Sequence, residues 1–123
     1  MREITFKGIP TIRILVYEKA IDFYITNLGF KIDWEHRYGS KDTVYMQISR
    51  NGLTLHISNN NRFKTGSIVF VECKRLNKFY TELSNKTPEI KLKKPKKTYW
   101  KTIQMEIEDP FGNFLLFNES ILK

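Results

Sequence analysis

The sequence predicts an α+β fold made of two similar βαβββ halves, and three observations predict it. Strand-like stretches and one helical stretch follow each other in the same order twice along the chain. An aromatic pair in the first helical stretch, Phe23-Tyr24, returns 56 residues later as Phe79-Tyr80, and at the same offset Ile12 meets Ile68 and Ile14 meets Phe70. Each half also closes on a turn signal followed by an apolar strand: Asn51-Gly52 in the first, Asp109 to Asn113 in the second. Recurrence of order, spacing and turn chemistry together is the mark of an internal duplication.

The elements follow in order. Residues 9–16 (Ile-Pro-Thr-Ile-Arg-Ile-Leu-Val) are β-branched and partly alternating, a strand behind a proline edge. From Tyr17 to Leu28 apolar residues Ala20, Ile21, Tyr24 and Leu28 recur at three- and four-residue spacing, and Gly29 supplies the stop. Strands are expected at 30–36, 43–49 and 53–58. Asn51-Gly52 joins the last two as a two-residue hairpin, because both central residues of a type I′ turn need positive φ. In the second half Ile68–Val71 reads as a strand and Arg75–Leu83 as a helix with Leu76, Phe79, Tyr80 and Leu83 on one face. Strands at 102–107 and 113–117 complete it. Both Phe-Tyr pairs are expected in the core, since a helix that covers a sheet needs large apolar side chains on the covering face.

Length and composition narrow the function. The 123 residues suit one domain, residues 1–123, with modules at 9–58 and 66–119 around a single modest core. No apolar run reaches the roughly 18 residues of a membrane span. The start, Met1 to Lys7, carries charge and no apolar leader segment, so a soluble, cytoplasmic protein is expected. The single cysteine, Cys73, can form neither an internal disulfide nor a cysteine metal cluster and is expected to be inert. The net charge of +8 raises nucleic acid as a partner. The one dense cluster, Lys91, Lys93, Lys94, Lys96 and Lys97, is broken by Pro95 and preceded by Pro88, which reads as a solvated loop, with an electropositive rim for an anionic ligand as the alternative. No Gly-rich phosphate loop, Ser-His-Asp order or Cys-His constellation is visible, and Glu106 and Glu108, two apart on one strand face, read as a solvated edge.

Several of these residues together are distinctive. Ile9-Pro10, Phe23-Tyr24, Leu28-Gly29-Phe30, Leu55-His56, Gly66-Ser67 and the ending Asp109-Pro110-Phe111-Gly112-Asn113 resemble the glyoxalase/bleomycin-resistance/dioxygenase (vicinal-oxygen-chelate) superfamily, most closely its metal-free bleomycin-resistance branch. The resemblance runs from 9 to 119. It implies two βαβββ modules forming a curved mixed sheet around a cleft, and two chains that pair as a homodimer. Enzymes of the superfamily hold a divalent metal with His and Glu at four positions, which fall here on Ile9, Thr54, Ser67 and Leu116. Two aliphatic side chains and two neutral hydroxyls offer neither charge nor softness to a divalent cation. The resemblance therefore implies no metal, no other cofactor, and a protein that sequesters a small molecule rather than transforming it. A metal-dependent glyoxalase- or dioxygenase-like enzyme with other ligands is the competing reading.

The resemblance also places the ligand. A Trp nine residues before the Asp-Pro turn stacks on drug in such proteins, and Trp100 stands there. Trp34 and Tyr38 lie near the aromatic that the partner chain contributes. Strand alternation and the motif alignment together add Tyr45, Thr54, His56, Ser67 and Gln104. A flat aromatic ligand, neutral or anionic, is expected, because a chain at +8 repels cationic bleomycin at long range.

Overall fold

A computed structural model of the chain describes residues 2–39, 41–86 and 90–122. Met1, and the Pro88 that precedes the lysine cluster, lie outside the described residues.

The first expected strand is short. Only Thr11–Arg13 forms β1; the Ile14 N–H still donates to the Ser58 carbonyl of β4 at 2.9 Å, and Leu15 and Val16 then lead into the helix that begins at Tyr17. That helix, α1, keeps α geometry over Tyr17–Ala20 and then widens into a π-helix over Ile21–Asn27. The Leu28 N–H reaches back five residues to the Phe23 carbonyl, and the wider turn lets Phe23, Tyr24 and Leu28 all face the core. Gly29 ends it at φ +80°, as predicted for a helix stop. Three strands follow: β2 (Lys31–Tyr38), β3 (Thr43–Arg50) and β4 (Leu53–Ser58). The β3–β4 turn holds Asn51 at φ 48° and Gly52 at φ 90°, the signs a type I′ turn demands.

The second half repeats the plan. β5 (Ile68–Glu72) leads to α2 (Leu76–Lys86), then a two-residue strand β6 (Lys96–Lys97) that the sequence did not predict, then β7 (Thr102–Glu108) and β8 (Phe114–Ser120). Each half makes its own four-stranded mixed sheet with the same topology, β1-β4-β3-β2 and β5-β8-β7-β6. The first strand of each pairs in parallel with the last, and the other pairs are antiparallel. The duplication is therefore visible in the topology. Its register in the strands differs from that in the helices: Ile12 and Ile14 are buried, whereas Ile68 and Phe70 are 68% and 54% exposed, and Val69 and Val71 take the core side. A one-residue slip reverses every side chain of a strand, so the strands are offset by 57 residues where the helices are offset by 56.

One apolar cluster joins the halves. Ile12, Tyr24, Leu28, Met46, Ile48, Leu55 and Ile57 from the first meet Leu76, Leu83, Met105, Ile107 and Phe117 from the second, each fully buried aliphatic side chain contributing roughly 1.5–3 kcal/mol. Arg50 ties them further. Its guanidinium donates to the Leu28 carbonyl at the end of the first helix, pairs with Glu82 of α2 at 2.7 Å and lies over the Phe79 ring. Glu119 caps α2, accepting from the N–H groups of Arg75 and Leu76 at 3.0 Å each. Its carboxyl is held below the usual range by those two hydrogen bonds. No helix among the described residues is long and apolar enough to cross a membrane.

Candidate functional site

The helices cover one face of each sheet and leave the other open, so side chains that alternate away from the core gather on two open faces. On the first sheet, Trp34, Tyr45 and His56 meet. The Trp34 and Tyr45 rings stack with centroids 6.1 Å apart and planes 13° apart, and His56 stands edge-on to both. Trp34 reaches this face through an irregularity. Between Ile32 and Trp34 the β2–β3 register shifts by one residue, so Trp34 lies opposite Gln47 instead of the buried Met46. A bulge of this kind turns the following side chain to the other face. The extra residue, Asp33, accepts from Gln47 Nε2 and Ser49 Oγ at 3.0 Å each, which lowers its pKa.

The polar groups under these rings form one chain. Gln47 donates its amide N–H to Asp33, so its oxygen faces the imidazole and accepts from His56 Nε2 at 3.0 Å. His56 Nδ1 is then the bare nitrogen that accepts the Tyr45 hydroxyl at 2.8 Å, and the Thr11 hydroxyl lies 2.8 Å from the same phenolic oxygen. Burial lowers the His56 pKa, which favours this neutral form. The result is a preorganised aromatic and hydrogen-bonding surface. Tyr38 lies farther along β2, edge-on to His36, and Thr54 is two residues before His56 on the same open face.

The second sheet carries a cleft of about 860 Å³. It is lined by Gln104, Glu106 and Glu108 of β7, by five lysines of segment 91–97, by Tyr99 and Trp100, and by Phe23, Ile90 and Phe114; Lys96 of β6 pairs with Gln104 of β7, so the lysines enter the cleft from the strand beside β7. Trp100 is 43% exposed, with its indole N–H donating to Asn118 Oδ1 at 3.3 Å and Tyr99 packed edge-on against it. Asn118 is buried between Trp100, Thr102 and Gln104, all of which it engages. The indole is thus pinned at its N–H and stays part-exposed. All five lysines of this segment are exposed, as a solvated loop would have them; they also line the cleft, and Lys96 and Lys97 pair with β7 as the short strand β6. Glu106 and Glu108 are exposed to solvent and also line the cleft.

The turn at the floor of the cleft joins the two halves. Asp109 Oδ1 accepts from the N–H groups of Phe111 and Asn113, and Oδ2 from Asn113 Nδ2 and, at 2.7 Å, from the Tyr24 hydroxyl of the first half. Burial and the adjacent Asp109 push the Tyr24 pKa far up. Asn113 donates to the Arg13 carbonyl and accepts from the N–H groups of Gly66 and Ser67 at 2.9 and 3.0 Å. Ser67 is committed there by its backbone and is absent from the lining of the cleft.

Comparison with known proteins fits this geometry. Residues 1–122 match a family model described as a glyoxalase superfamily protein. The chain belongs to the glyoxalase superfamily. Among solved structures it is similar to a bleomycin resistance determinant encoded on a transposon, at 19% identity over 96% of this chain and 100% of that one with a TM-score of 0.76. A bleomycin-binding protein complexed with bleomycin shares 18% identity over 94% and 99% of the two chains, TM-score 0.74. An antibiotic-binding protein from Streptomyces sp. CB03234 shares 19% over 96% and 99%, TM-score 0.71. These likenesses establish the fold. No curated protein sequence matches the chain significantly.

The superfamily's metal positions can be tested on the donor set. Thr54 lies on β4 and Leu116 on β8, Ile9 and Ser67 stand just before β1 and β5, and none of the four carries a carboxylate, imidazole or thiolate. These residues do not fit a divalent cation. Among the described residues no group of three or more His, Cys, Asp or Glu side chains is arranged to hold one elsewhere. Cys73 is half-buried, and burial raises its thiol pKa.

Of the residues expected at the site, Trp34, Tyr45 and His56 come together on one sheet and Trp100 and Gln104 on the other, and none of the first group lines the cleft of the second. Sequence reasoning missed Gln47, Asp33 and Thr11. Gln47 was within reach of the rule that selected Tyr45, since it lies two residues on along the same alternating strand. Asp33 carried no signal, because a bulge is invisible to alternation.

Proposed function

We propose that the protein is a metal-free binding protein that sequesters a flat aromatic ligand, neutral or anionic, between the open face of one chain's first sheet and the cleft of its partner's second sheet. The observation that carries this reading is the pair of accessible aromatic surfaces, Trp34 stacked on Tyr45 on the first sheet and the N–H-pinned Trp100 in the β6–β7 connection of the second. A planar ligand needs two faces to cover it, and a stacked aromatic contact adds about 0.5–1.5 kcal/mol beyond its area. β1 and β5 are both sheet edges, and Ile68 and Phe70 stand exposed on the second of them, apolar surface that a twofold copy covers. Solved neighbours described as binding bleomycin or an antibiotic support binding as the activity. The residues at the superfamily's metal positions support a site without a Lewis acid.

Binding then proceeds by burial and orientation. The stacked rings desolvate the ligand, while His56, Tyr45, Gln104 and Thr54 offer hydrogen bonds that fix its rotation, with no bond made or broken. Titration of a planar aromatic probe into chelator-treated protein tests this, with the probe recovered and analysed afterwards. Unchanged affinity and unaltered probe are expected. Loss of binding on chelation, or a converted probe, would overturn the reading in favour of a metal-dependent enzyme.

A further inference from the structure

The cleft on the second sheet is lined by charges of both signs that do not satisfy each other. Five lysines of segment 91–97 face three carboxylates, Glu106, Glu108 and Asp109, which leaves a formal surplus of two positive charges. Asp109 is taken up by Tyr24, Phe111 and Asn113. The ion pairs among the described residues are Lys31–Asp33, Arg37–Glu35 and Arg50–Glu82, all outside this cleft, so neither the lysine ammoniums nor Glu106 and Glu108 are bound to a described partner. Uncommitted cations around a concave, partly apolar volume focus positive potential into it. Trp100 lines the same volume, part-exposed and with its indole N–H fixed by Asn118.

We propose that this cleft selects aromatic anions: a planar ring stacks on Trp100 while its phosphate, sulfonate or carboxylate lies among Lys93, Lys94, Lys96 and Lys97. Which anionic group serves is secondary, because an ammonium is a point charge that accepts all three. The two free carboxylates of β7 sharpen the choice. They repel an anion placed beside them, so the charged group is driven toward the lysines. The inference rests on the binding reading above and narrows it from neutral or anionic ligands to anionic ones.

The test uses the full chain and three probes with one ring system: 1-pyrenesulfonate, 1-pyrenemethanol and 1-pyrenemethylammonium, titrated by fluorescence anisotropy. At about 20 mM salt the sulfonate is expected to bind roughly tenfold or more tighter than the ammonium probe, with the alcohol between, and at about 0.5 M salt the spread should shrink to roughly threefold as screening shortens to a few ångströms. The combined variant Lys93→Gln, Lys94→Gln, Lys96→Gln, Lys97→Gln should lose the spread and keep the alcohol's affinity. Trp100→Ala should weaken all three probes alike. Circular dichroism confirms that each variant is folded. Equal binding of the three probes at low salt, through Trp100, would overturn the charge selection and leave the binding reading standing. A charge preference that survives in the lysine variant would also overturn it, since the charge would then be read elsewhere. Failure of every probe to bind, or binding indifferent to Trp100→Ala, would remove the binding reading and this inference with it.

Discussion

Replacing Tyr24 with Phe removes one oxygen from the buried hydrogen-bond centre at Asp109. Tyr24 is fully buried and its hydroxyl donates at 2.7 Å to Asp109, itself buried and accepting three further hydrogen bonds from its own turn. A hydrogen bond to a charged group contributes about 1.5–3 kcal/mol net, and the ring itself is retained, so no cavity beyond one oxygen atom opens. Tyr24→Phe is therefore expected to cost about 2 kcal/mol. Asp109→Ala strands four donors at once, the Tyr24 hydroxyl, two backbone N–H groups and the Asn113 amide, and should cost roughly 3–5 kcal/mol. Urea unfolding of the two variants and their double mutant, followed by fluorescence, reads both costs as shifts in midpoint at constant slope. In the double mutant the Tyr24→Phe cost should nearly vanish, because its acceptor is already gone. A Tyr24→Phe protein as stable as wild type within about 0.5 kcal/mol, or strict additivity in the double mutant, would refute the view that this bond joins the halves.

Three further outcomes follow from other contacts. Gly29→Ala should destabilise by roughly 1–3 kcal/mol in the same assay, since Gly29 holds φ +80° and an added Cβ would stand 2.9 Å from the Arg50 guanidinium. Glu119→Ala should cost about 1 kcal/mol through the lost α2 cap. Because the two backbone hydrogen bonds depress the Glu119 pKa, its contribution is present above the ordinary value of 4.5 and disappears as pH falls through the folded-state value; Glu119→Gln should flatten that acid limb of the stability profile. His56 also has a lowered folded-state pKa, from burial, so stability is full above the ordinary value of 6.5 and declines as pH falls below it. His56→Gln should remove that decline, and a profile unchanged by the substitution would place the acid sensitivity elsewhere.

How far the chain could be read from its residues depended on what each element owes to periodicity. The long strands β3 and β4 and both helices announce themselves because their apolar positions recur at a fixed period, and Gly29 and Asn51-Gly52 mark ends that need positive φ. β6 had no such signal: two lysines have neither alternation nor β-propensity, and pairing with Gln104 and Ile103 alone makes them a strand. The π-helical widening after Ala20 was equally hidden, since Phe23, Tyr24 and Leu28 fit an α-helical stripe almost as well. At the site, alternation along β3 and β4 put Tyr45 and His56 on one face, and Trp34 joined them only through a bulge no pattern announces. The lysines are exposed, as their composition suggests, but a linear sequence does not show that they share a cleft with Glu106 and Glu108 of β7.

The central claim, a site shared between two chains, is tested most directly by mixing two crippled proteins. Trp34→Ala disables the first-sheet face and Trp100→Ala the second-sheet cleft, and each variant alone should bind a planar aromatic probe about 1–3 kcal/mol more weakly. After subunit exchange at equal amounts, random pairing makes about half of the dimers mixed, and each mixed dimer holds one site with both substitutions and one with neither. Tight binding should therefore return to about a quarter of the sites, read as stoichiometry by calorimetry. If exchange is complete and no tight sites return, the ligand lies within a single chain and the shared cleft is wrong.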